Sequence, residues 1–238
     1  SPNGQVPSGW PRSGVNGQEL NYGMDPEIVG SRHSEQEVID SLKAIPTISM
    51  VTPLANLFNG QTGIYVNAGG SGRSWERPAS FELLNPDASL GFQIDGGVRV
   101  RGGFSRSDGN PKHAFRVFFR RDYGEGKLRF PLFEDEGTDE FDNVDLRTSQ
   151  NYSWSFQNDS RNNFLRDVWS RDIQREMGHP STRSRFYHLY INGVYWGLFQ
   201  TQERAEASCA EAYFGGDKED YDVITKYGGT TDGNRDAF

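Results

Sequence analysis

The sequence predicts an α+β protein: an antiparallel sheet with one long packed helix. Three observations carry this expectation. Glycine is abundant, at 28 of 238 residues, and it punctuates short runs of β-branched and aromatic residues as antiparallel strands require. One long stretch has helical spacing, with Phe164, Leu165, Val168, Trp169, Ile173 and Met177 recurring every three or four positions. Asn192-Gly193 lies between two aromatic-rich runs, and that pair favours the type I′ hairpin turn.

The elements follow in chain order. Residues 1–34 are rich in Gly, Pro, Ser and Asn around Trp10, Tyr22 and Met24, and read as an extended arm over a body or a linker. Glu35 to Ala44 reads as a short helix behind a Ser34 cap, with Val38, Ile39 and Leu42 on one face. Ile45 to Val51 reads as a strand with its proline near the start. Gly63–Val66, Ala79–Leu84, Gly91–Asp95, Gly97–Arg101 and Ala114–Phe119 read as strands of a meander. In Val98-Arg99-Val100-Arg101 the alternation turns both valines to a core and both arginines to solvent or a cleft. The long helix spans about Arg161 to Met177, with Asp159 or Ser160 as cap and Gly178 as stop. Arg185–Ile191 and Val194–Thr201 form the hairpin; Arg204–Tyr213 reads as a helix and Tyr221–Thr225 as a strand. The expected organisation is an arm at 1–44, a leading β segment at 45–90 and the main domain at 91–238.

Composition narrows the function. A net charge of −8 argues against a general nucleic-acid binder. Arginine nevertheless clusters at 99–121 and 161–185, which suits a small anionic ligand better than a long polyanion. The single cysteine, Cys209, provides neither a disulfide framework nor a thiolate metal site. No apolar run reaches membrane-spanning length. Both ends read as cuts in a longer polypeptide, so further domains are expected as partners.

Candidate chemistry centres on the segment 97–117. Arg99, Arg101, Arg106 and Arg116, with Lys112, stand beside Gly97, Gly102 and Gly103, and cations on flexible backbone hold phosphates. The competing reading is a charged hairpin edge that blocks sheet-to-sheet aggregation. Glu203, at the end of the second hairpin strand, either pairs with Lys112 across the sheet, binds a ligand, or caps the following helix. His33, His113, His179 and His188 show no metal-ligand spacing, and His188 reads as structural. The acidic run 134–140 lacks the ligand spacing of a calcium loop and reads as solvated. Trp10, Trp75, Tyr152, Trp154 and Trp196 could stack on sugars, although core packing suits most of them better.

Taken together, the ordered motifs resemble the spore-coat CotH-type protein kinase family. They are Gly97–Arg106 with Lys112, Tyr123-Gly124, Leu128–Phe133 and Asp145-Leu146-Arg147. Leu165-Arg166-Asp167, Met177-Gly178, Tyr190–Gly197, Gln202-Glu203-Arg204 and Tyr213–Gly216 continue the series. The resemblance covers roughly residues 91–224. It implies the small lobe of a divergent protein-kinase-like fold, secreted or in a bacterial cell envelope, transferring phosphate from ATP to Ser or Thr of proteins. Mg²⁺ or another divalent metal would assist. Lys112 would lie under the phosphates, the helix 161–177 would steady it, and Glu203 would lead into the hinge. The family's Trp-Asp-x-Asp-like acids have no counterpart here, so the catalytic acids and metal sites are expected outside this chain and the chain alone is expected to be inactive. The alternative is a non-catalytic extracellular module that binds glycans or surface proteins, since fold alone does not establish function.

Overall fold

The computed structural model describes residues 4–17, 19–108, 110, 112–148, 163–225 and 227–237. Seven strands close into a barrel in the order β1-β2-β3-β4-β7-β9-β8. They are β1 (Thr47–Val51), β2 (Arg77–Leu84), β3 (Leu90–Arg101), β4 (Ala114–Phe118), β7 (Asn143–Thr148), β8 (Ser184–Ile191) and β9 (Val194–Gln202). Short ribbons β5 (Leu128–Arg129) with β6 (Glu140–Phe141), and β10 (Val223–Ile224) with β11 (Thr230–Asp232), lie outside it. The helices are α1 (Glu35–Lys43), α2 (Leu54–Phe58), α3 (Arg166–Glu176) and α4 (Ala207–Phe214). The mixed α+β class is therefore as the sequence predicts. Among the described residues no helix is long and apolar enough to cross a membrane.

The expected meander is corrected in its closure. β1 pairs antiparallel with β2 but parallel with β8, in the register Thr47↔His188 to Met50↔Ile191. The two expected strands at 91–101 are one twelve-residue strand, β3. The leading segment supplies β1 and β2, and β2 is paired to β3 along its whole length. Gly63–Val66 is not a strand: its amides bond back to Asn59, Asn56 and Leu57 behind α2. Gly63 is held so close that a Cβ there would lie 2.5 Å from the Leu57 carbonyl.

Closure buries a continuous core. Phe115, Met50, Leu57 and Ile191 are fully enclosed, and Val98 and Val100 point inward as the alternation requires. The N-terminal arm joins this core, with the Trp10 ring 5.7 Å from Trp196 and 5.6 Å from Tyr22. At the hairpin tip Asn192 and Gly193 have φ of 47° and 78°, the positive values a type I′ turn demands.

The expectation of one long packed helix is corrected as well. α3 spans eleven residues and buries none of them. Leu165, Trp169, Ile173 and Met177 are 60%, 63%, 40% and 67% exposed. The helix instead docks by its polar side. Asp167 accepts from Arg147 at 2.5 Å, Arg171 at 2.6 Å and Gln200 Nε2 at 3.1 Å, while Arg171 reaches the Ser184 hydroxyl at 2.6 Å. The barrel exterior beneath it carries Arg147, Gln200 and Ser184, because the apolar positions of those strands face inward; an apolar helix face finds no partner there. The expected caps Asp159 and Ser160, residues 161–162, and Tyr152 and Trp154 lie outside the described residues.

Candidate anion site

Strand register builds the site. Arg99 of β3 lies directly opposite Arg116 of β4, and Arg116 lies opposite Asp145 of β7. Like charges in a cross-strand pair destabilise a sheet, so Arg99 beside Arg116 is a local violation that calls for compensation. Two buried carboxylates supply it. Asp145, 1% exposed, accepts from Arg116 Nε at 2.5 Å and Nη2 at 2.9 Å, and Arg101 Nε lies 3.0 Å away. Glu76, 6% exposed, accepts from Arg120 Nε at 3.0 Å and the Tyr123 hydroxyl at 3.2 Å, with Arg99 4.0 Å away. Arg99 also lies over the Phe118 ring at 4.3 Å. Burial, reinforced by Arg116 and Arg120, lowers the pKa of Arg99 against the pull of Glu76. Burial likewise acts to lower that of Arg116, but Asp145 more than offsets it and the pKa is raised.

Between these groups lies a cavity of about 360 Å³ lined by Gly70, Ser71, Gly72, Arg99, Val100, Arg101, Gly102, Gly103, Arg106 and Arg116. Arg106 Nη1 donates to the carbonyls of Gly69 and Gly70 at 3.3 Å each. Its Nε is buried without an acceptor among the described residues, a desolvation cost that an entering acceptor would offset. Gly102 has φ of +120°, and a Cβ there would overlap the Ser105 hydroxyl at 1.8 Å, so only glycine fits this rim. His113, buried beside it, donates Nδ1–H to the Ser105 carbonyl at 3.1 Å, which leaves Nε2 to accept from Asn16 at 3.4 Å. Four arginines with glycine backbone between them can neutralise and hold an oxyanion chain.

Of the six residues that the sequence marks, Arg99, Arg101, Arg106 and Arg116 meet at this cavity, whereas Lys112 and Glu203 do not line it. Lys112 runs to β9, where a Cβ on Gly197 would lie 2.6 Å from its ammonium; although the residue keeps an exposed side, burial lowers its pKa. Glu203 is six residues further along, about 20 Å at roughly 3.3 Å per residue, so the expected Lys112–Glu203 pair is corrected. Glu203 instead accepts from the Arg183 backbone N–H at 2.7 Å and from the Tyr213 hydroxyl. It lines a separate cavity of about 320 Å³ with Lys127, Asn143, Glu206 and Cys209.

Glu76, Asp145 in its counterion role, and the loop Gly69-Gly70-Ser71-Gly72 were not read as site residues from the sequence. Three glycines in four positions are the signal for that loop; nothing local marks Glu76, which lies far from its arginine partners along the chain.

A family model described as CotH kinase protein matches residues 98–234, more than half of the chain. Comparison with curated proteins gives no match.

Proposed function

The chain belongs to the CotH kinase family, and on that footing we propose that its barrel is the phosphate-binding part of a secreted kinase that phosphorylates proteins on Ser or Thr with ATP. The observation that carries this is the arginine pair Arg99–Arg116, set against the sheet's own stability and converging with Arg101 and Arg106 on one cavity. In this reading the barrel plays the part of a kinase small lobe covering the phosphates. Phosphoryl transfer is mostly positioning and charge neutralisation, and both are within reach of these side chains. Arg99, Arg101, Arg106 and Arg116 would hold the phosphate oxygens; Asp145 keeps Arg116 and Arg101 in place, and Glu76 lies beside Arg99. ATP, when bound, supplies the phosphoryl group. Among the described residues no three His, Cys, Asp or Glu side chains converge on one point. No step is therefore assigned to a divalent metal.

Calorimetric titration with ATP tests the reading. Removing a guanidinium that bonds an oxyanion costs about 1.5–3 kcal/mol, so Arg99→Ala and Arg106→Ala should each weaken ATP roughly ten- to a hundredfold. Lys112→Ala, away from the cavity, should change it little. Absence of ATP binding by the parent chain would refute the proposal.

A further inference from the structure

We infer that this pocket recognises its ligand by a phosphate chain rather than by a base, with the glycine loop 69–72 as its second wall. The inference rests on the nucleotide-phosphate reading above. Of the ten lining residues four are arginine, four glycine and one serine. The tenth, Val100, is 6% exposed and belongs to the core cluster, so it offers the cavity backbone rather than side chain. A nucleobase is best held on an aromatic or broad apolar surface, and this lining is mainly polar and contains no aromatic ring.

The loop is positioned to act. Arg106 grips the carbonyls of Gly69 and Gly70, and Trp75 packs so closely on Gly70 that a Cβ there would lie 2.4 Å from the indole. Gly72 has φ of +81° with open space where its side chain would be. Gly70, Ser71 and Gly72 line the cavity. The Gly70 N–H is already held by the Asn67 carbonyl at 2.8 Å, which leaves the Ser71 and Gly72 backbone N–H groups and the Ser71 hydroxyl as the loop's candidate donors to a ligand. The loop precedes the family-matched residues, so it is an addition to the site from the N-terminal part of the chain.

Charge selects the length of the chain that binds. The four lining arginines and Arg120, set against Glu76 and Asp145, leave three positive charges in excess. A single phosphate group brings only about 1.5 to 2 negative charges, so a run of phosphates is the better match. At about 30 Å³ per water, a cavity of about 360 Å³ displaces roughly a dozen waters, room for more than one phosphate.

The test is calorimetry on the intact chain with ATP, GTP, inorganic tripolyphosphate and AMP at low ionic strength. Tripolyphosphate, ATP and GTP should agree within about threefold and AMP should be about a hundredfold weaker or more. Gly72→Val, which strains the loop, should weaken tripolyphosphate about tenfold; Arg106→Lys, which keeps the charge but loses the forked grip, should weaken it several-fold. ATP binding about tenfold or more tighter than both tripolyphosphate and GTP would overturn the inference while leaving the nucleotide reading intact, and would direct attention to exposed Phe104 beside Gly103 as a base platform. Unchanged affinity in both variants would refute the role of the loop. Failure of all four ligands to bind would overturn the nucleotide reading and this inference together.

Discussion

Replacing Asp145 by Asn should destabilise the barrel out of proportion to the one atom changed. The carboxylate is 1% exposed and faces Arg116, with a side chain 13% exposed, and Arg101, 27% exposed. Breaking a buried ion pair from one side costs about 3–5 kcal/mol, because the remaining charge is left desolvated. The partial exposure of Arg101 and the residual hydrogen bonding of an amide reduce this to about 2–4 kcal/mol. For a chain of this length 1 kcal/mol moves the melting temperature by about 2–4 °C, so a loss of about 3 kcal/mol lowers it by roughly 6–12 °C. Equilibrium urea unfolding measures the free energy directly. A second variant isolates the cause: Asp145→Asn with Arg116→Met removes both partners and should recover much of the loss, since a pair replaced by apolar groups is often close to neutral. A loss under about 0.5 kcal/mol, typical of a surface change, would refute the assignment of Asp145 as the counterion on which the arginine face depends.

Three further outcomes are expected. Burial raises the Glu203 pKa above its ordinary 4.5 although Tyr213 and Arg183 oppose it. The folded state thus holds this proton more tightly than the unfolded one: its stabilising contribution is complete below 4.5 and is lost as pH rises through the raised value. Glu203→Gln should flatten that decline in urea midpoints taken across the acid-to-neutral range, and an unchanged slope would count against the burial argument. Asn192 bonds both the N–H and the carbonyl of Thr52 at 2.9 Å, so Asn192→Ala should cost about 1–3 kcal/mol by the same unfolding measurement. Burial pushes the Cys209 thiol up to about 12, so it should resist a thiol reagent at pH 8 until denaturant is added; rapid native labelling would contradict this.

Local chemistry made much of the fold legible. The turn at Asn192-Gly193, the Ser34 cap and the in-out alternation of Val98 to Arg101 are each decided by a few neighbouring residues, and each is found where expected. What the sequence hid is set by distant partners. Gly63–Val66 has strand composition, yet it is fixed as turns by carbonyls of α2. Leu165, Trp169, Ile173 and Met177 have the spacing of a buried stripe, but burial depends on what lies opposite, and the barrel wall offers polar groups. The arginine pocket was legible as a cluster because its members lie within eighteen residues, from Arg99 to Arg116. Its counterions were not: Glu76 meets Arg120 across 44 positions and Asp145 meets Arg116 across 29.

The parallel seam between β1 and β8 bears on how the chain is made. Thr52 and Asn192, which seal that seam, are 140 residues apart. At about 5–20 residues per second of synthesis, β1 emerges roughly 7 to 28 seconds before the strand that completes it. Through that interval β1 has β2 on one side and an open edge on the other, a template for pairing with a neighbouring nascent chain. Slowing translation between the codons for β2 and β8 should therefore raise the aggregated fraction, and the yield of this barrel is set in part by the timing of its own synthesis.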